Sequence, residues 1–229
     1  MTADARRVRA IHRRLLRHFG SLEPPRRSDP LDELILTVLS QNTSDVNSFR
    51  AYESLRARFP TWEALAAARP SEVAASIRSG GLSNVKAPRI LAILRAIQER
   101  EGHLDLSLLR GKSDPGARDY LTSLPGVGPK TAAIVLAFSL DRPALPVDTH
   151  VHRVASRLGL IPPKSSGAKA QDILEAITPM DIRVAMHVGL IRLGREICKP
   201  GRPKCEVCPL ADLCPTAPTI LDGKPRSGA

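Results

Sequence analysis

LPGVGPKTAAIV, residues 124–135, interrupts a stretch of helical spacing with two glycines and two prolines and then resumes it. Gly126 and Gly128 flank Val127, and glycine reaches backbone angles that other residues adopt only at a cost. Pro129 suits the first turn of a new helix, where its missing N–H would have no partner. The stretch therefore predicts a helix, a tight hairpin and a second helix, with backbone N–H groups that can hold a phosphate. An ordinary glycine-terminated helix end is the alternative.

Lys130 follows the hairpin at the start of the predicted second helix, which is the end of a helix where a cation is disfavoured. We expect this position, with partial burial, to lower the pKa of the Lys130 amine, as a nucleophilic lysine requires. A solvated lysine that binds a phosphate is the alternative. The spacing alone does not separate the two.

Asp148 lies in LPVDTHVHRV, residues 145–154, between an apolar approach and a predicted helix. An Asp in this position is a common helix N-cap. A carboxylate close to Lys130 could instead stabilise positive charge developing on a sugar, or assist proton transfer. Sequence spacing does not establish whether the two side chains meet.

The composition narrows the class of partner. The chain has 229 residues, a net charge of +11 and a pI near 10.2, which favours a polyanion. Aromatic residues are only 3% of the chain, so any base-stacking role must depend on few rings. No apolar run approaches the ~20 residues that span a bilayer, and the first residues lack the apolar core of a secretory signal. We expect a soluble intracellular protein.

Apolar spacing and helix-end residues predict an all-α fold of many short helices. Two clear helical stripes are Leu31, Leu34, Ile35, Val38 and Leu39, and then Ile90, Ile93, Leu94 and Ile97. The first residues predict an amphipathic helix with Val8, Ile11, Leu15 and Leu16 on one side. Thr61, Ser71 and Asp114 are predicted N-caps, and Gly102 a helix end. Residues 215–229 are rich in Pro, Gly and polar groups and predict a loose tail.

All four cysteines lie in CKPGRPKCEVCPLADLC, residues 198–214, with gaps of six, two and five residues. An intracellular chain makes disulfides improbable, and four thiolates this close are suited to surround one metal centre. The spacing by itself leaves structural zinc and an iron–sulfur cluster comparable. Lys199, Arg202 and Lys204 separate the first two cysteines without an acidic residue between them, which predicts contact with a DNA backbone or simply a solvated basic loop.

From about residue 30 to residue 214, the chain resembles the helix-hairpin-helix DNA glycosylases of the endonuclease III type. The resemblance rests on LPGVGPKTA, on an Asp eighteen residues after the lysine in VDTH, and on the cysteine spacing. It implies a DNA groove between two helical domains, one of residues 30–142 and one of residues 1–29 with 143–214. It also implies a structural [4Fe–4S] cluster held by Cys198, Cys205, Cys208 and Cys214.

SQNTSDVN, residues 40–47, resembles the loop of this family whose amide side chain enters the opened duplex. Asn42 stands at the position of the family's glutamine, while Gln41 is one residue earlier, so either amide could enter. An N-capped turn is the alternative for this loop. The turn GGLSNVK offers Leu82 as a second, apolar wedge, or as a leucine packed on the following helix.

The resemblance implies a bifunctional DNA glycosylase and apurinic/apyrimidinic (AP) lyase that acts on oxidised or ring-saturated pyrimidines in double-stranded DNA. Lys130 would attack the sugar C1′, Asp148 would assist, and His150 would border the base pocket. Two alternatives are a monofunctional mismatch glycosylase, which would release a base without cutting, and a non-catalytic DNA-binding module. We expect a monomer in the cytoplasm of a bacterial cell, close to the nucleoid.

Overall fold

The computed structural model describes residues 3–24 and 28–223, and within these ranges the chain is helical with no β-strand. The α-helices are α1 Ala3–Phe19, α2 Pro30–Ser40, α3 Asp45–Arg58, α4 Trp62–Ala66, α5 Pro70–Ser76, α6 Ser83–Glu101, α7 Asp114–Thr122, α8 Pro129–Phe138, α9 Thr149–Arg157, α10 Gly167–Ile177, α11 Arg183–Glu196 and α12 Ala217–Leu221. Short 3₁₀ turns lie at Arg78–Gly80, Ser107–Gly111, Met180–Ile182, Cys205–Val207 and Ala211–Leu213. The all-α prediction is confirmed.

The chain divides into two compact units. One is formed by Arg26–Arg142, and the other joins Met1–Pro25 to Pro143–Ala229. In the first unit, α2 presents buried Leu31, Leu34 and Ile35 to its neighbours α3 and α8, as the stripe predicts. None of the helices in the described ranges combines the length and the apolar character that crossing a membrane requires.

In the second unit, the N-terminal helix packs with helices made near the end of the chain. Val8, Ile11 and Leu15 of α1 are fully buried in a core that includes residues of α9, α10 and α11. Arg7 donates to the carbonyl oxygens of Leu158 and Leu213, so hydrogen bonds also join α1 to the segments that follow it by more than 150 residues. This unit therefore needs both ends of the chain.

Three local predictions are wrong in detail. Leu16 is 43% exposed because α1 presents only the narrow face of Val8, Ile11 and Leu15 to the core. Ser71 does not cap α5; Arg69 takes that place, because Pro70 occupies the first helical position. Helix α7 begins at Asp114 itself, and the Ser113 hydroxyl accepts from the Gly116 N–H as its cap.

Other helix ends follow the prediction. The Thr61 hydroxyl caps α4 by accepting from the Ala64 N–H at 3.1 Å, and Gly102 ends α6 at a φ of +76°. The segment predicted as a loose tail contains α12, whose Ala217 is buried. Residues 224–229 of that tail lie outside the described residues.

Candidate functional site

The hairpin is a tight turn with its two apolar ends held in the core. The Val127 N–H donates to the Leu124 carbonyl oxygen at 3.1 Å, and Gly126 has a φ of +72°. With Pro125 before it, Gly126 occupies the position of a type II turn that requires positive φ. Leu124 and Val127 are both buried, which fixes the turn on the helices that it joins.

The two glycines of the hairpin have different structural roles. A Cβ placed on Gly126 would lie 2.7 Å from the Arg89 Nε, so the side chain of Arg89 packs directly against this glycine. Gly128 has an ordinary φ of −93°, and a Cβ there would meet nothing within 4 Å. The fold therefore requires glycine at the first position only.

We expect Gly126→Ala to destabilise the protein by about 1–3 kcal/mol, because alanine is strained at positive φ and would displace Arg89. Gly128→Ala is the matched control and should cost less, about 0.5 kcal/mol, because Gly128 has no strained backbone and loses only its role as the N-cap of α8. Chemical denaturation of the two variants and the wild type measures this difference. Equal losses for the two alanines would contradict this account of the turn.

Lys130 lies in the first turn of α8, and the helix holds its backbone firmly. Pro129 is the first residue of the helix, as the sequence predicts, and Gly128 is its N-cap. The following residues from Thr131 to Ala137 are all buried, so α8 is packed on most of its circumference. The Lys130 side chain itself is half-buried. Its amine is thus carried by a rigid element directly after the hairpin.

Asp148 is the N-cap of α9. Its Oδ1 accepts from the Val151 N–H at 2.7 Å. The approach to Asp148 is also fixed, since the Leu145 N–H donates to a Glu175 carboxylate oxygen at 2.9 Å and the Pro146 carbonyl lies 2.8 Å from the Nδ1 of buried His187. Capping and catalysis are compatible, because a cap also orients the carboxylate. Asp148 and Lys130 belong to different units, and their meeting remains a prediction.

Two arginines of α9 connect the helix of Asp148 to the cysteine segment. Arg153 donates through Nε to the Cys198 carbonyl oxygen at 2.9 Å and through Nη2 to the Gly194 carbonyl oxygen at 2.8 Å. The same Nη2 lies 3.2 Å from the His150 Nδ1. Arg157 donates to the Cys198 Sγ at 3.2 Å and to the Lys199 carbonyl at 2.7 Å. Helix α9 and the start of the cysteine segment therefore form one rigid piece.

The four cysteines line one pocket with about 390 Å³ of empty space, part of it open to solvent. Its other lining residues are mainly apolar, among them Val154, Leu158, Leu193, Ile197, Leu210, Ala217 and Ile220. In the described ranges, no group of three or more His, Cys, Asp or Glu side chains is arranged to hold a metal ion. The four cysteines instead line a wider pocket.

The chemistry of this pocket suits a cationic iron centre. Burial raises the pKa of the Cys208 thiol to about 11, and burial and then the neighbouring Cys214 and Cys198 raise the pKa of Cys205. Without a cation these thiols would keep their protons at neutral pH, whereas a metal-bound thiol is deprotonated. Four cysteines are the usual donor set of a [4Fe–4S] cluster. The residues present therefore fit that group.

Two of the three wedge candidates, Asn42 and Leu82, have left-handed backbone conformations. Asn42 has a φ of +55° and Leu82 a φ of +50°, which is costly for residues with a side chain. Leu82 is 54% exposed, so about half of its surface is accessible. Asn42 is also exposed, whereas the Gln41 Oε1 accepts from Arg89 at 2.7 Å. The exposed amide of the loop is therefore that of Asn42.

Two family models match the chain. The model for HhH-GPD superfamily base excision DNA repair proteins matches residues 35–180, and that for the iron-sulfur binding domain of endonuclease III matches residues 198–214. The chain belongs to the HhH-GPD superfamily. It is an endonuclease III-type base excision repair DNA glycosylase with an iron–sulfur domain.

Relatives of this HhH-GPD protein align over most of its length. Endonuclease III of Thermotoga maritima is 38% identical over 187 residues, covering 82% of this chain and 83% of the relative. Thymine-DNA glycosylase of Aeropyrum pernix is 31% identical over 222 residues, covering 92% and 96%. The chain is also similar to the structure of a trapped endonuclease III–DNA covalent intermediate, with 30% sequence identity and a TM-score of 0.81. That alignment covers 96% of this chain and 100% of the other.

Sequence reasoning missed the residues that support the site of this HhH-GPD protein. Arg89, Arg153 and Arg157 each bind main-chain or side-chain groups distant in sequence, and periodicity does not indicate such partners. The chain has 34 lysines and arginines, so its composition does not distinguish these three arginines from the others. By contrast, three basic residues of the cysteine segment were predicted to contact a DNA backbone. All three are exposed: Lys199, Arg202 and Lys204.

Proposed function

We propose that this protein is a bifunctional DNA glycosylase and AP lyase that uses Lys130 as its nucleophile. The observation that carries the proposal is the lysine in the first turn of α8, directly after the hairpin, in a chain of the HhH-GPD superfamily. An amine nucleophile links base release to strand cleavage, because it leaves a covalent enzyme–sugar intermediate.

The proposed reaction begins when the neutral Lys130 amine attacks C1′ of an extruded nucleotide. The new C–N bond forms as the glycosidic bond breaks, and the base departs with the bonding electrons and takes up a proton. Ring opening gives a Schiff base between Lys130 and C1′. Removal of a proton from C2′ then expels the 3′ phosphate by β-elimination, and water releases the enzyme from the sugar aldehyde.

Asp148 would act on this sequence through its charge. A carboxylate beside the sugar stabilises the positive charge that develops as the base departs, and it can accept a proton from the attacking amine. The N-cap bond to Val151 keeps the carboxylate oriented in the free protein. His150 would border the base pocket, with a terminal nitrogen atom of Arg153 lying 3.2 Å from its Nδ1.

The [4Fe–4S] cluster would be held by Cys198, Cys205, Cys208 and Cys214, which share one pocket. When bound, it supplies a rigid cross-link rather than a step of the reaction. The residues of the chain then hold the basic loop: Arg157 donates to the carbonyls of Lys199 and Pro200, both at 2.7 Å. Lys199, Arg202 and Lys204 would bind the DNA backbone from this fixed loop.

The proposed substrates are oxidised or ring-saturated pyrimidines in double-stranded DNA, which the resemblance to endonuclease III implies. Support comes from the relative named endonuclease III and from the trapped endonuclease III–DNA covalent intermediate, whose chain is 30% identical. We also propose that the protein acts as a monomer on the nucleoid DNA of a bacterial cell. The bacterial relatives named endonuclease III support this setting.

A monofunctional mismatch glycosylase is the second candidate function. The observation that favours it is the 31% identity to a thymine-DNA glycosylase over 92% of this chain. Such an enzyme would remove thymine from a mispair with guanine and leave the strand intact. Lys130 argues for the bifunctional enzyme, since a water nucleophile does not need an amine at this position.

One assay separates the candidates. End-labelled duplexes containing thymine glycol or a G·T mispair are incubated with the protein, with and without borohydride. We expect strand cutting and a borohydride-trapped adduct on the thymine glycol duplex. Base release from the mispair without cutting would select the mismatch glycosylase. Binding to both duplexes without base release would leave only a DNA-binding module.

Asn42, rather than Gln41, is the amide that we propose enters the opened duplex. Asn42→Ala should slow base removal from duplex DNA by about ten-fold, since unpairing a base costs a few kcal/mol and the filling side chain offsets part of it. Gln41→Ala, the neighbouring control, should have a smaller effect because Gln41 is held by Arg89. Single-turnover rates on one damaged duplex compare them. A larger loss for Gln41→Ala would reverse the assignment.

A further inference from the structure

Lys86 is a buried lysine with no place in the reaction described above. It lies in the first turn of α6 and is only 2% exposed. Its Nζ donates to the carbonyl oxygen of Leu39 at 2.6 Å and to that of Gly80 at 2.8 Å. Burying an ammonium group costs free energy unless its N–H donors are hydrogen-bonded. An apolar side chain would fill the same space at a lower free-energy cost.

The two carbonyl groups belong to the ends of two different elements. Leu39 lies in the last turn of α2, and Gly80 ends the 3₁₀ turn Arg78–Gly80. Carbonyls in the last turn of a helix lack internal partners and carry partial negative charge, which a cation complements. One ammonium group therefore caps two C-terminal ends at once. Burial lowers the pKa of Lys86, but the two carbonyls favour its charged form.

Each capped end leads directly into one of the proposed wedge residues. Asn42 follows Leu39 by three residues, and Leu82 follows Gly80 by two. Gly80 is also packed closely, since a Cβ on it would lie 3.0 Å from the Ala51 Cβ. Asn42 and Leu82 are 40 residues apart in sequence, and both have a left-handed backbone conformation. One buried side chain, that of Lys86, thus connects the two loops in which they lie.

We propose that Lys86 is a positioning residue that fixes the two wedge loops relative to each other, so that Asn42 and Leu82 enter the same gap in the duplex. The inference rests on the proposed function, because it assigns a role in opening DNA for base removal. Lys86 does not touch DNA; it acts through the main chain of both loops. A misplacement of about 1 Å in such a constellation costs about a hundred-fold in rate.

The test compares Lys86→Met, which fills the same volume without donors, with the wild type on two substrates. One is a duplex containing thymine glycol, and the other is a single-stranded oligonucleotide with a preformed abasic site, which needs no duplex opening. We expect Lys86→Met to lower the single-turnover rate of base removal from the duplex by about ten-fold or more. Borohydride trapping on the single strand should stay within about two-fold, since Lys130 and Asp148 are unchanged.

A binding measurement separates this inference from the proposed reaction. 2-Aminopurine placed beside the lesion becomes more fluorescent when the stack opens, and this signal requires no chemistry. We expect Lys86→Met to bind the duplex with a reduced fluorescence rise. If the wild type opens the duplex but releases no base, the proposed function is refuted. The fluorescence of Lys86→Met and of the wild type can still be compared, so the role of Lys86 is tested in that case too. An unchanged fluorescence rise, or equal losses on both substrates, would overturn the role of Lys86.

Two further variants keep the test decisive. If Lys86→Met does not fold, Lys86→Gln, which retains N–H donors at a shorter reach, takes its place in both comparisons. In the background of Asn42→Ala with Leu82→Ala, Lys86→Met should have little additional effect on base removal, because its action passes through those two side chains. A full multiplicative loss in that background would mean that Lys86 only stabilises the fold.

Discussion

Lys130→Gln is expected to abolish the borohydride-trapped adduct and to reduce strand cutting to the background level. Glutamine keeps a polar side chain of similar length but has no nucleophilic amine, so neither the C1′–N bond nor the Schiff base can form. The fold should not change, because Pro129 and the buried residues after Lys130 determine the start of α8. Gel electrophoresis of labelled duplex, before and after borohydride, measures both effects.

Lys169→Gln is the matched control for this substitution. Lys169 also lies in the first turn of a helix, α10, and is exposed. It should leave trapping and cutting unchanged, which separates loss of the nucleophile from loss of one positive charge. Binding of Lys130→Gln to the damaged duplex should persist, since the hairpin and the basic loop are intact. Strand cutting that survives Lys130→Gln would require another nucleophile.

Asp148→Asn should lower the rate of base removal by about 10²- to 10⁴-fold while leaving the stability of the protein almost unchanged. Asparagine is as good an N-cap as aspartate, so its side-chain oxygen can still accept from the Val151 N–H. Asp148→Asn removes the negative charge and the proton acceptor. The positive charge that develops on the sugar as the base departs therefore loses its proposed stabilisation. Single-turnover base release and thermal unfolding report the two effects separately.

Asp148→Ala and Asp29→Asn complete the comparison. Alanine removes both the carboxylate and the cap, so it should lose about 1 kcal/mol of stability in addition to activity. Asp29 is the N-cap of α2, where its Oδ1 accepts from the Leu31 N–H at 2.9 Å. Asp29→Asn should therefore be silent in both measurements. Unchanged base removal by Asp148→Asn would reduce Asp148 to a helix cap.

Sequence patterns predicted those parts of the site whose conformation is set locally. Pro125 and Gly126 define their turn within four residues, and Asp148 caps a helix that begins beside it. In both cases the two hydrogen-bonded residues lie three positions apart, so the local pattern contains all of the information. The four cysteines were equally visible, because their segment is only seventeen residues long.

The supporting residues could not be predicted because their partners are distant in sequence. Arg89 binds Gln41 across 48 positions, and Arg157 reaches Lys199 across 42. Lys86 has one sequence signal: it precedes Ile90 by four residues and Ile93 by seven, so it lies on the buried stripe of α6. A lysine on such a stripe predicts a buried cation with backbone partners. The difference between the two adjacent amides also depends on the tertiary structure, because Arg89 holds Gln41 while Asn42 is exposed.

The arrangement of α1 has a consequence for how the protein is made. During synthesis α1 precedes α10, α11 and the cysteine segment, with which it makes contact, by more than 140 residues. The Arg26–Arg142 unit can complete its core during translation, whereas Val8, Ile11 and Leu15 must wait for the final third of the chain. We expect the cluster to form only after Cys214 has been synthesised, so that the unit that contains α1 is completed later than the Arg26–Arg142 unit.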